Sequence, residues 1–168
     1  MAQRKTKPAS SPDQSLRNEL ASLLKGGNAH AKFDDAIANL PPKLRGQKPG
    51  GLPYSAWGLL EHMRIAQWDM LEFSRNPNYE SRKWPGDYWP KSDAPPSEAA
   101  WEKSIKDFRS DLREMMKLIF DQKSDLFTPF PWGDGQNLLR EALQIADHNA
   151  YHLGELLVVR RLLGAWKD

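Results

Sequence analysis

The side chains in this sequence best suited to chemistry are its four histidines, His30, His62, His148 and His152. His148 and His152 lie four residues apart in D-H-N-A-Y-H-L-G-E. On a helix that spacing stacks two imidazoles on one face, one turn apart, as two ligands of a single metal require. Glu141, Gln144 and Glu155 fall on the same face. Polar groups on an otherwise apolar helix must find partners or bind something, since unpaired burial is costly. The competing readings of the pair are a solvated polar stripe and a buried polar network.

His62, in L-L-E-H-M-R-I-A, borders an apolar seam. A lone histidine there is more often a packed, hydrogen-bonded residue than a ligand. Asp69 shares its face but is too far along the helix to orient the His62 ring directly. His30 extends the Phe33, Ile37 and Leu40 stripe, so it is expected to point inward from a helix over Ala29–Leu40. If that helix runs antiparallel to the next, His30 and His62 reach similar depth at 1.5 Å per residue. The simpler reading of His30 is a polar residue beside the Gly26-Gly27 break.

Three neutral imidazoles from two helices would leave open positions on a metal, the layout of a catalytic site. Such a metal lowers the pKa of a bound water or thiol and creates a nucleophile at neutral pH. The zincin pattern H-E-x-x-H is not met, because Asn149 stands where its Glu belongs. No P-loop, G-x-S-x-G elbow or G-x-G-x-x-G is present.

The elements that must carry these residues follow from apolar spacing. Trp101, Ile105, Phe108, Leu112, Met116 and Ile119 step by fours and threes, predicting a helix from Ser97 to Asp121 with Ser97 as its cap. Asn137 caps a longer helix to Ala165, whose end carries Arg160, Arg161 and Lys167. A third runs from Ser55 to Arg75, stopped by Asn76-Pro77. The first region is Gln14–Lys25, a Gly26-Gly27 break, then Ala29–Leu40. No strand pattern of useful length appears. The expected fold is all-α, a four-helix bundle with a long crossover between its second and third helices. That crossover, residues 76–96, permits up-down-down-up order. Its Trp84, Tyr88 and Trp89 argue for packing over the bundle, as an edge cover, a pocket wall or a subunit contact.

The chain has 168 residues, with 24 Lys plus Arg against 22 Asp plus Glu, a balance that gives no support for nucleic-acid binding. Absence of cysteine excludes disulfides, thiolate metal ligands and a cysteine nucleophile. No apolar run approaches the ~18 residues of a membrane span. Residues 1–12 read as a solvated, disordered tail, leaving 13–168 as one domain of a cytoplasmic protein.

With these residues in hand, the sequence resembles the DinB/YfiT-like family of metalloenzymes. Trp57–Met63 (W-G-L-L-E-H-M) and Asp147–Glu155 carry the likeness, and helix order and spacing extend it from Gln14 to Trp166. The resemblance implies an up-down-down-up bundle and a divalent metal, zinc or nickel, with iron also accepted by imidazole. Its ligands would be His62, His148 and His152. It also implies thiol-dependent transferase or isomerase chemistry with a low-molecular-weight thiol, and a homodimer. Hydrolysis of a small-molecule substrate fits the same site. Family members often carry Gln where this chain has Glu155, a carboxylate able to act as base, orienter or extra ligand. His30 has no counterpart in the family triad, and is read as a fourth ligand or a general acid/base. A non-catalytic module, with Trp84, Trp89 and Trp132 forming a partner surface, is the alternative.

Overall fold

A computed structural model describes residues 11–166, and every described helix begins or ends where local chemistry directs. The five α-helices are α1 (Pro12–Lys25), α2 (Phe33–Ile37), α3 (Ala56–Arg75), α4 (Glu98–Phe120) and α5 (Leu138–Leu162). No strand occurs among the described residues. Side-chain oxygens of Ser11, Ser55, Ser97 and Asn137 each accept from a first-turn backbone N–H, capping α1, α3, α4 and α5.

The four long helices pack pairwise: α1 lies on α4 and α5, and α3 lies on the same two. Their apolar faces make two core clusters. One joins Phe33, Trp57, Leu60, Trp101, Phe108 and Leu156; the other joins Leu20, Leu71, Met115, Ile119, Leu138 and Ile145. Two buried arginines tie the ends. Arg17 donates to the carbonyls of Ile119 and Ser124, and Arg160 to those of Ala36 and Ala165. Each therefore satisfies carbonyls that a helix end or turn leaves without an intrahelical partner.

Three expectations are corrected. Ala29–Leu40 is not one helix: only Phe33–Ile37 is helical, and Ala38 is already extended. Gly26 and Gly27 both adopt positive φ, so the chain turns through a bend at residues 28–30 and His30 has no helix to orient it. The last helix stops at Leu162, ahead of Gly164 at φ 67°, rather than reaching Ala165. The expected tail boundary also shifts, since Ser11 is a cap and Pro12 the first helical residue. The rest of that tail, and Lys167, lie outside the described residues. No helix is long and apolar enough to cross a membrane among the described residues.

The segment between α3 and α4 folds back over α3 through a short 3₁₀ turn, Gly86–Tyr88. Tyr88 and Trp89 are half-buried there, as expected, but Trp84 is 72% exposed.

Candidate metal centre

Helix α3 supplies His62 and α5 supplies His148 and His152, and the packing of α3 on α5 brings the three rings together. One ring nitrogen from each lies within 4.8 Å of the other two. His62 and His152 are buried at 2% and 8% exposure, and His148 is half-buried. This group could hold a metal ion.

The partners of the rings decide which nitrogens face inward. His62 Nδ1–H donates to the Tyr88 carbonyl at 2.9 Å, which leaves Nε2 as a lone pair. His152 Nδ1–H donates to Glu155 Oε2 at 2.7 Å, leaving its Nε2 free in the same way. His148 Nε2 stands 3.1 Å from His62 Nε2, while its own Nδ1 is buried without a partner. No tautomer of His148 satisfies all these atoms. With the proton on Nε2 it donates to His62 but strands Nδ1; with the proton on Nδ1, two lone pairs oppose each other. An unpaired buried polar atom costs about 1–3 kcal/mol.

A shared cation resolves the opposed lone pairs, and the donor set fits one. Nitrogens bound tetrahedrally at about 2.1 Å stand about 3.4 Å apart, close to the His62–His148 spacing. Imidazole suits zinc, nickel and iron alike. Burial, reinforced by the neighbouring His152 and His62, holds the His148 pKa down to about 4. Burial also lowers that of His62, against the Tyr88 carbonyl. Both rings are thus neutral near pH 7, the form that binds metal.

A second ring of contacts holds the imidazoles. Trp89 lies flat on His62, with centroids 4.0 Å apart and planes within 3°. Tyr54 O–H donates to Glu155 Oε1 at 2.7 Å, so Glu155 links α5 to the residue just before the α3 cap. Burial and Glu155 push the Tyr54 pKa up to about 12, which keeps the phenol protonated as a donor. Asp69, buried, accepts from the hydroxyls of Tyr88 at 2.6 Å and Tyr79 at 2.9 Å. These bonds pin the segment whose Tyr88 carbonyl meets His62. Asp69 does not touch the ring, yet it acts on it through Tyr88.

Of the residues singled out from sequence, His62, His148, His152 and Glu155 come together, and His30 does not join them. His30 is exposed, with Nδ1 against its neighbour's carbonyl, Ala31 O, at 2.9 Å. Gln144 is exposed, and buried Glu141 pairs with Arg140 at 2.5 Å. Trp132 packs near the C-terminal end of α3, where Nε1–H donates to Phe73 O at 2.8 Å. Tyr54 and the Tyr88 carbonyl escaped sequence reasoning, since neither a residue before a cap nor a backbone oxygen leaves a periodic signal. No protein-family model matches the chain, and neither the curated proteins nor the solved structures give a match.

Proposed function

We propose that the protein is a metal-dependent enzyme resembling the DinB-like family, with His62, His148 and His152 as ligands of one zinc, nickel or iron ion. The observation that carries the reading is three rings converging from two helices, two of them with the far nitrogen tied to Tyr88 and Glu155. Three protein ligands leave coordination positions for a water or a substrate thiol. When bound, the metal lowers the pKa of that water or thiol and supplies a nucleophile at neutral pH. Hydrolysis and transfer from a low-molecular-weight thiol are the two reaction classes that follow.

The chain's own residues do the remainder. Tyr88 and Glu155 fix the ring orientations and raise ligand basicity, as outer hydrogen-bond acceptors do. Glu155 is the site's proton acceptor, since two hydrogen bonds leave lone pairs of its carboxylate unused. Trp89 excludes water from one face of His62. Glu61 and Gln67 of α3 meet Ser104 and Phe108 of α4 in the same order along the chain, while Arg17 at the start of α1 meets Ile119 at the end of α4. Parallel α3 and α4, antiparallel to α1, support an up-down-down-up four-helix bundle. The exposed apolar residues Leu143, Tyr151, Val158 and Leu162 share one face of α5 and support a homodimer. Sedimentation of Val158→Glu as a monomer, against a dimeric parent, checks that part.

The competing reading is a non-catalytic module with a buried histidine network, favoured only by the 3.1 Å contact between His62 and His148. Elemental analysis of tag-free protein separates the two. We expect about one divalent metal per chain, lost in His148→Ala with helical content retained. No metal after incubation with zinc, nickel and iron(II) would falsify the enzyme reading and leave the network.

A further inference from the structure

Two of the three clustered rings have an acceptor behind them: the Tyr88 carbonyl for His62 and Glu155 for His152. His148 Nδ1 has none at full hydrogen-bond geometry. A second buried atom stands unpaired on the very next residue, Asn149 Oδ1.

A row of buried amides fixes which end of Asn149 faces the ring. It starts at Phe108 on α4, whose backbone carbonyl can only accept. Gln67 of α3 therefore turns its Nε2 to that oxygen, at 2.7 Å, and its Oε1 away. Oε1 in turn requires a donor, and Asn149 Nδ2 supplies it at 2.9 Å. That leaves Asn149 Oδ1, an acceptor, for His148. Gln67 is fully buried and Asn149 is 7% exposed, so solvent has little access to reverse either amide.

Asn149 acts on His148 in the direction of a protonated ring, as an acceptor does. His148 Nε2 is turned to His62, so this contact falls at Nδ1. It is short of a full hydrogen bond, which is why both atoms remain unpaired. A proton on Nδ1 meets an oxygen lone pair. A proton on Nε2 instead sets the Nδ1 lone pair against that same oxygen, and buried acceptors left facing one another are costly.

We propose that Gln67 and Asn149 are positioning residues that hold His148 as its Nδ1–H tautomer, with the Nε2 lone pair kept for the metal. The inference rests on the metal site proposed above. Gln67 acts through Asn149, and Asn149 through the ring, so the packing of α3, α4 and α5 sets the tautomer. All three histidines then give Nδ1–H to an acceptor and keep Nε2 as ligand, the arrangement in which an outer partner fixes the ligating nitrogen. The buried-network reading needs the opposite tautomer, because His148 can donate to His62 only from Nε2.

The test reads tautomers directly, from long-range proton–nitrogen spectra of the metal-free full chain at neutral pH. His148 should show the Nδ1–H pattern, alongside His62 and His152. Gln67→Met keeps an unbranched side chain but removes both amide contacts, which lets Asn149 turn Nδ2 towards the ring. In that variant His148 alone should shift to Nε2–H, and chelator competition should show zinc affinity about tenfold lower. Lost packing alone would lower affinity without moving the tautomer, so Nδ1–H retained in folded Gln67→Met overturns the proposal. Nε2–H in the parent overturns it even if Gln67→Met fails to fold. Nδ1–H in a parent that takes up no zinc would keep the tautomer assignment and remove the metal reading instead.

Discussion

Helices α4 and α5 are nearly the same length, 23 and 25 residues, and both pack on α1 and α3, yet they bury different chemistry. The buried residues of α4 are Trp101, Ser104, Ile105, Phe108, Met115 and Ile119, an apolar stripe with one hydroxyl. Those of α5 include Glu141, Asn149, His152 and Arg160. Burial of polar groups alone does not mark function, because Arg160 spends its donors on backbone carbonyls and acts as a structural tie. The histidines differ in that His62 and His148 turn Nε2 atoms on each other at 3.1 Å, an arrangement no tautomer of His148 satisfies together with its buried Nδ1. Satisfied polar burial builds the fold, and unsatisfied convergent burial points to a ligand.

The largest expected separation between the two helices comes from truncating one ring on each. Trp101→Ala on α4 removes a ring that is 2% exposed and lies beneath the Arg45 guanidinium, 4.4 Å away. Chemical denaturation should register a loss of about 3–5 kcal/mol, with metal stoichiometry unchanged in the folded fraction. His148→Ala on α5 should do the reverse. Competition with a chromogenic chelator should show zinc affinity reduced by at least about a hundredfold, more than loss of an outer partner causes. Loss of metal binding in Trp101→Ala, or metal retained by His148→Ala, would erase the distinction.

The metal-free protein should also respond to acid through α5. Folded His148 stays neutral down to about pH 4, whereas an unfolded histidine takes up its proton near 6.5. Between those values the unfolded chain binds more protons, so stability falls as the pH drops through that window. The full effect is up to about 3 kcal/mol, and denaturation of His148→Ala at pH 7 and pH 4.5 should show a correspondingly shallower slope.

A finer test addresses the segment over α3. Asp69→Asn leaves all three histidines in place but weakens the anchor of Tyr88, so zinc affinity should drop by about tenfold, read by the same chelator competition. Undiminished affinity would make Asp69 a tie of the loop alone. The smallest effect belongs to α4 and has the opposite sign. Burial and then the neighbouring Asp107 push the Asp111 pKa up to about 6, so its folded form loses stability as the pH rises from about 4 through 6. Asp111→Asn should therefore stabilise the protein at pH 7, by on the order of 1 kcal/mol once solvent screening is allowed for, as a rise in thermal midpoint.

Local rules were enough to read much of this molecule from its residues. The start positions at Ser55, Ser97 and Asn137 were legible because capping is a contact between near neighbours in the chain. The shared face of His148 and His152 was legible because helical periodicity alone fixes it. Where two glycines and a short apolar stripe gave weaker signals, the reading failed: the Ala29–Leu40 helix shortened to Phe33–Ile37, and His30 left the site with it.

Only tertiary structure could bring His62 to His148, 86 positions away in the chain, since that contact depends on how α3 packs against α5. The same holds for the Tyr88 carbonyl on His62, for Trp89 lying against its face, and for Tyr54 reaching Glu155. A loop without periodicity has no internal signal for which ring it will cover. Sequence thus determined which side chains each helix presents, a matter of local backbone geometry. Packing decided which of them meet, because apolar burial is non-directional and its partners are chosen by the shape of the whole core.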